Sequence, residues 1–336
     1  MSTGAGAGRD AGLGSKGKAM RDRLVTLFGG GGFIGRYAAQ ALMRAGARVR
    51  FAERDPRRAF YLKPLGMLGQ SQFVAADLTK PDTVARAVEG ADSVINLVGT
   101  FGAAMAAIHV DGARNVAAAS ARAGVEALVH VSAIGADPTG QSRYAQTKGE
   151  GETAVRDAFP QATILRPSVV FGQEDQFLNR FAQLISRSPV VPVLRAGTRF
   201  QPVFVGDVAD AIRLAATEPG RFGGQVFELG GPDTPTMAEL LRWIAAEVHR
   251  WPHFLELPDA AGGLIASAGF LPGAPITRDQ WLMLQRDNVV APGMPGLDAL
   301  GLRPTPMAAV APAWLVRYRK RGRFADRAAE TRDLSA

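Results

Sequence analysis

The stretch from Leu24 to Gly35, Leu-Val-Thr-Leu-Phe-Gly-Gly-Gly-Gly-Phe-Ile-Gly, constrains this chain more than any other. A short apolar run of strand formers stops at four consecutive glycines. A helical pattern of apolar residues (Phe33, Ile34, Tyr37, Ala38, Leu42) begins directly beyond them. The reading is strand, tight turn, helix. Glycines put no Cβ between backbone N–H groups and a ligand, and the positive end of the following helix favours negative charge. Such a turn receives a pyrophosphate, so a dinucleotide is the expected ligand. Gly29, Gly32 and Gly35 are spaced G-x-x-G-x-x-G, where the commoner dinucleotide fingerprint is G-x-G-x-x-G.

The first helix ends at Ala45-Gly46 and a second strand is read over Ala47 to Ala52, whose end should meet the adenosine ribose. A carboxylate there hydrogen-bonds the ribose hydroxyls, whereas an arginine accommodates a 2′-phosphate. The sequence supplies both: Glu53, then Arg54 with Arg57 and Arg58 close behind. One acid facing three arginines favours NADP(H), with NAD(H) as the alternative; the plainer reading is a solvated charged turn.

Beyond it, Gln72 to Ala75 reads as a third strand leading into Ala76-Asp77-Leu78, and a helix is expected over Pro81 to Glu89. Ser93 to Leu97 is a fourth strand that turns on Gly99. Parallel strands alternating with helices give an α/β doubly wound sheet, the Rossmann arrangement, with its ligand along the carboxyl ends of the strands. Gly29, Asp77 and Gly99 all fall on that edge.

A helix over Ile108 to Ala123 and a fifth strand over Ala127 to Ser132 precede Tyr144-Ala-Gln-Thr-Lys148, a Y-x-x-x-K. Residues i and i+4 share one face of a helix. The lysine ammonium is therefore expected to bind a ribose and to lower the phenol's pKa towards the working range of an acid/base group.

Composition bounds the rest. A chain of 336 residues, 47% hydrophobic and 21% charged, has ample core for one large domain or one and a half. With no cysteine there is no disulfide framework and no thiolate site. The four histidines (His109, His130, His249, His253) lack the spacing of a metal motif and read as structural or solvent-facing. The net charge of +8 suits anionic lipid, an acidic partner or a phosphorylated cofactor, but no aromatic-and-basic nucleic-acid motif accompanies it. No apolar run approaches the ~20 residues that span a bilayer.

The expected organisation is a disordered tail over 1–22, a dinucleotide-binding domain over 23–230, a smaller C-terminal subdomain over 231–320 and a basic tail over 321–336. An amphipathic helix is read over Met237 to Val248. Phe254 to Pro275 reads as an apolar, Gly/Pro-broken stretch, either subdomain core or a docking surface. The basic segment from Trp314 to Arg323 suits lipid headgroups or an acidic partner.

The glycine spacing resembles that of the extended and atypical short-chain dehydrogenase/reductases. Further strings narrow the resemblance: Tyr144 and Lys148 with Gly151-Glu152, Val155-Arg156-Asp157-Ala158-Phe159-Pro160, Leu165-Arg166-Pro167-Ser168, Glu174-Asp175-Gln176-Phe177-Leu178-Asn179, Gln201-Pro202-Val203-Phe204-Val205 and Ile276-Thr277-Arg278-Asp279. Together with Leu62-Lys63-Pro64-Leu65-Gly66 and Pro295-Gly296-Leu297, they resemble the NAD(P)H-binding accessory subunits of respiratory complex I over about residues 24–316.

The resemblance implies a tightly held, structural NADPH. It also implies complex I subunits as partners at the junction of the peripheral and membrane arms, on the cytoplasmic face of a bacterial inner membrane or the matrix side of a mitochondrial one. Carried over, the phosphate contacts are Gly29, Gly32, Phe33, Ile34 and Gly35. Glu53 and Arg54 serve the ribose and 2′-phosphate, and Asp77 and Leu78 the adenine. Tyr144 and Lys148 serve the nicotinamide ribose and Pro167 the ring region, and Gly99, on the same edge, is a further cofactor-binding residue. In place of the Ser or Thr that active members use, the position one beyond Ser132 holds Ala133. Unless Ser132 substitutes, the Tyr-Lys pair lacks its oxyanion partner, a loss worth ~10²-fold or more in rate, which points to binding without turnover. The other class of function is an active NAD(P)-dependent reductase, epimerase or dehydratase on a small or lipid-like substrate.

Overall fold

The computed structural model describes residues 20–269, 276–320 and 322. A seven-stranded, all-parallel sheet organises them. Its first six strands are β1 (Leu24–Phe28), β2 (Arg48–Glu53), β3 (Ser71–Ala75), β4 (Ser93–Asn96), β5 (Ala127–Val131) and β6 (Thr163–Pro167), and Val226–Leu229 is the seventh. Across the sheet the order is Val226–Leu229, β6, β5, β4, β1, β2, β3. The chain runs outward from β1 to β3, then crosses back to place β4 on the other side of β1. A doubly wound sheet binds its ligand in the crevice opened by that reversal.

The five strands expected from sequence are present with ends shifted by a residue or so. β6 and Val226–Leu229 carried no separate signal: both are short, buried runs next to proline or glycine. The helix expected over Ile108 to Ala123 begins instead as a π-helical turn, Ala107–Gly112, and becomes α-helical only over Ala113–Arg122.

Helices cover both faces because the strands are apolar on both. β4 and β5 are buried at every position, as expected of a parallel sheet between two helical layers. On one face, α1 (Phe33–Arg44) and the helix Val205–Thr217 pack Ala38, Leu42, Val208 and Ile212 over Leu27 and Ile95. On the other, α2 (Pro81–Val88), α3 (Ala113–Arg122) and α4 (Arg143–Ala158) bury Val84, Val116 and Val155 against Phe28 and Val94. A side chain of this size contributes about 1.5–3 kcal/mol when fully buried. Two polar groups of the core are paired with backbone: Thr26 Oγ1 donates to the Ala87 carbonyl at 2.9 Å and Ser93 Oγ to that of Ala216 at 2.8 Å.

α4 carries Tyr144 and Lys148, and three devices fix it. Ser142 caps its first turn through the Ala145 N–H. Asp279, far along the chain, accepts from the Arg143 N–H at 2.6 Å and the Tyr144 N–H at 3.1 Å. Inside, fully buried Glu152 takes a two-pronged bond from Arg166 on β6 (2.8 and 2.7 Å), and Arg166 also reaches Glu228 at 3.3 Å.

A second core lies beyond the sheet. It joins Phe171, Leu178, Ile185, Val191 and Phe200 to Leu240, Ile244 and Leu315, so the segment between β6 and Val203 packs with residues past 231. The division near Gly231 thus marks the end of the sheet, while this core draws on both sides of it. Met20–Asp22 form a 3-10 turn with Met20 packed on the main core; the rest of the expected N-terminal tail lies outside the described residues. So do residues 270–275 of the apolar stretch, the remainder of which forms the strand His253–Leu257 and the helix Asp259–Ser267. Of the expected basic tail only residue 322 is described. Among the described residues no helix is long and apolar enough to cross a membrane.

Candidate functional site

The glycine turn is built as its spacing requires. Gly29 has φ +79°, a left-handed backbone that residues with a Cβ adopt at a cost. Its carbonyl accepts the Gly32 N–H at 3.1 Å and closes the turn. Gly35 sits where a Cβ would collide with the Gly29 carbonyl, so α1 can approach the turn only through glycine. A Cβ on Gly30 would stand 2.6 Å from the Phe51 ring. Gly32 is different: it is exposed, its φ is −81°, and a Cβ there would meet only the Gly29 oxygen, at 3.2 Å.

At the ribose end, Glu53 bends back to the turn and accepts the Gly31 N–H at 2.6 Å. Burial raises its carboxyl pKa above the usual range, against the opposing pull of that bond and of Arg54. Arg54 and Arg58 are exposed with no ion-pair partner among the described residues, whereas Arg57 pairs with Asp55 at 3.0 Å. Asp77 accepts from the Thr79 hydroxyl at 2.7 Å and its N–H at 3.0 Å, which hold its carboxyl below the ordinary range. Leu78 is buried in the core beside Asp77, and its carbonyl accepts from Asn115 Nδ2 at 2.8 Å.

The other end is a cleft of about 230 Å³ at the carboxyl edge. Ile34, Gly99, Ser132, Tyr144, Lys148 and Pro167 line it, with Ala133 and Ser168 also on its wall. Phe33 stands aside from this wall, edge-on to Tyr37. Lys148 is 4% exposed and donates to the Val131 carbonyl at 3.2 Å. Burial lowers its pKa to about 8, with the charge of Glu152 working the other way.

The lysine was expected to pull the phenol's pKa down, and here the structure differs. Burial drives Tyr144 up to about 12. Lys148 Nζ lies 6.0 Å from the phenol ring centre and turns to a backbone carbonyl, so desolvation wins. Ser132 Oγ is buried and has no hydrogen-bond partner among the described residues.

Three parts of the site carried no local signal in the sequence. Tyr61 donates to the Gly31 carbonyl at 3.0 Å, with the Arg36 guanidinium 5.2 Å above its ring and paired at 3.1 Å to Glu174. Phe101 stacks on Tyr144, ring centres 4.7 Å apart and 15° from parallel. His109, read as structural or solvent-facing, is 2% exposed and sits edge-on to Tyr144 at 5.5 Å. These contacts join residues 25 to 138 positions apart, and no short-range pattern records them.

A dinucleotide fits these residues. The glycine turn leaves open space beside the exposed Gly32, and among the described residues the cleft beyond it holds an unpaired hydroxyl on Ser132 and a buried ammonium bonded to one carbonyl.

The family model described as "NAD dependent epimerase/dehydratase family" matches residues 25–230. The chain is 35% identical over 295 residues (84% of this chain, 77% of the relative) to "NADH dehydrogenase [ubiquinone] 1 alpha subcomplex subunit 9, mitochondrial" of Mus musculus. It is 32% identical over 261 residues to "Ceramide reductase" of Caulobacter vibrioides, covering 75% of this chain and 80% of that one. Among solved structures, NADPH-dependent quinone oxidoreductase QOR2 of Escherichia coli, complexed with NADPH, superimposes with TM-score 0.72 at 20% identity, covering 87% of this chain and 99% of that one. That likeness speaks for the fold alone. By sequence, this chain belongs to the NAD-dependent epimerase/dehydratase family, in the group of the subunit 9 proteins of NADH:ubiquinone oxidoreductase.

Proposed function

We propose that this protein is an accessory or assembly subunit of respiratory complex I that holds NADP(H) as a structural group. The observation that carries the reading is a complete dinucleotide turn joined to a phenol that its lysine does not engage: a glycine loop shaped for phosphates, and Tyr144 stacked under the Phe101 ring while Lys148 Nζ turns to the Val131 carbonyl, 6.0 Å from the phenol ring centre. Gly29, Gly32 and Gly35 serve the pyrophosphate, and Asp77 the adenine. Lys148, Tyr144, Gly99 and Pro167 serve the nicotinamide ribose and ring. The dinucleotide, when bound, is a hydride carrier. The chain's own part is to orient it and to hold the Tyr144 proton on the phenol oxygen.

NADP(H) is favoured over NAD(H) because Glu53 is engaged with Gly31 while Arg54 and Arg58 face outward. Identifying the nucleotide released on heat denaturation tests this, and mainly NAD(H) would give the ribose site to Glu53. The partners proposed are complex I subunits where the peripheral arm meets the membrane arm, with anionic lipid as a further contact for the +8 chain. The cytoplasmic face of a bacterial inner membrane, or its mitochondrial equivalent, is the proposed location. Purification of the tagged protein from membranes, with the co-purifying subunits identified, decides the assignment. Absence of complex I subunits would overturn it.

A second reading is an active reductase on a lipid-like substrate. It is favoured by the free Ser132 hydroxyl in the cleft and by the similarity to a ceramide reductase.

A further inference from the structure

His109 is a buried side chain whose two ring nitrogens are both committed. Nε2 accepts the Thr100 N–H at 3.0 Å, so the ring proton resides on Nδ1, which donates to Thr147 Oγ1 at 2.9 Å. Thr147 in turn donates to the Tyr144 carbonyl at 3.2 Å. One ring thus ties the loop after β4 to the first turn of α4. The π-helical turn Ala107–Gly112 delivers it there, a geometry that recurs at functional sites. α4 passes against that turn through Gly151, where a Cβ would strike the His109 carbonyl. Gly99, next to the anchored Thr100, leaves His109 Nε2 and Lys148 Nζ facing the same space. The residue after Thr100 is Phe101, which is 59% exposed as a residue and whose ring stacks on that of Tyr144. An exposed aromatic gains little from solvent contact. Its placement here depends on the loop that carries it being held.

We infer that His109 is a positioning residue: it latches the loop Gly99–Phe101 to α4, and the latched loop holds Phe101 as a lid over the Tyr144 end of the cleft. The inference rests on the proposed dinucleotide site for what the lid encloses, but not for the latch. Neutral imidazole is the form that can both accept from Thr100 and donate to Thr147. His109 keeps that form because burial, then the nearby Lys148 charge, lowers its pKa to about 4. His130 and Lys148 are the other titratable groups on that side, and Tyr144 packs against the ring edge. A lid here slows escape of a bound dinucleotide and denies a second molecule access to the phenol, which accords with retention without turnover.

The test separates latch from lid. Hydrogen exchange is followed in nucleotide-free protein for peptides covering residues 98–105, and release of NADPH is followed by fluorescence after displacement with excess NADP+. His109→Ala should raise exchange at Thr100 and speed release about tenfold or more. His109→Gln, whose amide can accept and donate, should return both to within about threefold of the parent protein. Phe101→Ala should speed release equally while leaving Thr100 protected. Thr147→Val, which removes only the α4 anchor, should loosen Thr100 even if His109→Ala folds poorly. Unchanged exchange at Thr100 in folded His109→Ala and Thr147→Val overturns the latch. Parental release from Phe101→Ala overturns the lid. A parent protein that binds no dinucleotide overturns the functional reading, and the exchange experiment still decides the latch.

Discussion

The two ends of the dinucleotide cleft are built on different principles. At the glycine end the ligand's place is made by backbone: Gly29 in the left-handed region, Gly35 with no room for a Cβ, and Gly30 under Phe51. At the other end it is made by side chains converging from β5, α4, the loop after β4 and a π-helical turn, held by Asp279, Glu152 and His109. Backbone sites are set by which residues are absent, and such absence is readable from the letters. Side-chain sites depend on packing across the whole fold, and there burial can reverse an expectation, as it does for Tyr144.

The largest effect expected is at the backbone end, where two glycines should fail in opposite ways. Gly35→Val drives a side chain into the Gly29 carbonyl, so nucleotide binding should vanish and the nucleotide-free protein should lose about 1–3 kcal/mol or more. Gly32→Asp should abolish binding equally, since a carboxylate would stand against the pyrophosphate. Its own φ of −81° is ordinary, and an acid at a helix N-cap gains a few tenths of a kcal/mol over glycine. Nucleotide-free Gly32→Asp should therefore melt at or slightly above the parent temperature, with no shift on adding NADPH. A preserved NADPH shift in Gly32→Asp would remove the glycine turn from the site.

That contrast also explains what the sequence made legible. The strand-glycine-helix pattern at Leu24 to Gly35 depends on nearest neighbours, and so do the alternation of β1 to β5 with helices and the Y-x-x-x-K spacing. β6 and Val226–Leu229 lacked such a pattern, being short buried runs whose strand character comes from neighbours in the sheet. His109 and Phe101 were unreadable for a different reason. Nothing in Ile108-His109-Val110 distinguishes a core histidine from one tied to Thr100 and Thr147. The recruitment of Phe171 to Phe200 into the second core also depends on where the chain returns, not on its composition.

The side-chain end should also be the acid-sensitive one. His109 and His130 are held neutral with folded pKa values of about 4 and about 3, each lowered first by burial. A histidine lowered on folding supports stability above its unfolded value near 6.5, and that support drains away as pH falls towards the folded value. Each should cost on the order of 3 kcal/mol by pH 4. Urea melts from pH 7 to pH 4 should show the parent losing stability more steeply than His109→Gln; parallel curves would show that His109 does not titrate with unfolding.

Lys148 gives a smaller effect, with opposite signs for stability and binding. Its pKa of about 8 records the cost of a buried ammonium bonded to one carbonyl. A lysine lowered on folding destabilises the fold below about pH 8, and the cost is relieved as pH rises towards the unfolded value near 10.5. Lys148→Met should therefore hold or raise the melting temperature of the nucleotide-free protein at pH 7. The variant should also weaken dinucleotide binding by about 1.5–3 kcal/mol, the worth of a hydrogen bond from a charged donor. Parent affinity should fall above pH 8 as the charge is lost, while the Lys148→Met affinity stays flat. A pH-independent parent affinity would mean that the ammonium does not reach the ligand.

Tyr144→Phe is the smallest change and separates the two functions. The ring that Phe101 stacks on and His109 abuts is kept, so the lid should stay in place and only a hydroxyl is lost. If the site retains its dinucleotide without turning it over, that hydroxyl is one hydrogen bond among many, worth ~0.5–1.5 kcal/mol. Quinone-dependent NADH oxidation by membranes of the variant strain, normalised to assembled complex, should then match the parent strain. A reductase would use the phenol as its proton donor, and losing that should cost ~10²- to 10⁴-fold in rate. The outcome that would reverse the assignment is a metabolic defect in the Tyr144→Phe strain together with unchanged complex I in a strain lacking the protein. The first outcome is the expected one because Lys148 Nζ is committed to the Val131 carbonyl and lies 6.0 Å from the phenol ring centre, so no ammonium is placed to ease loss of the Tyr144 proton.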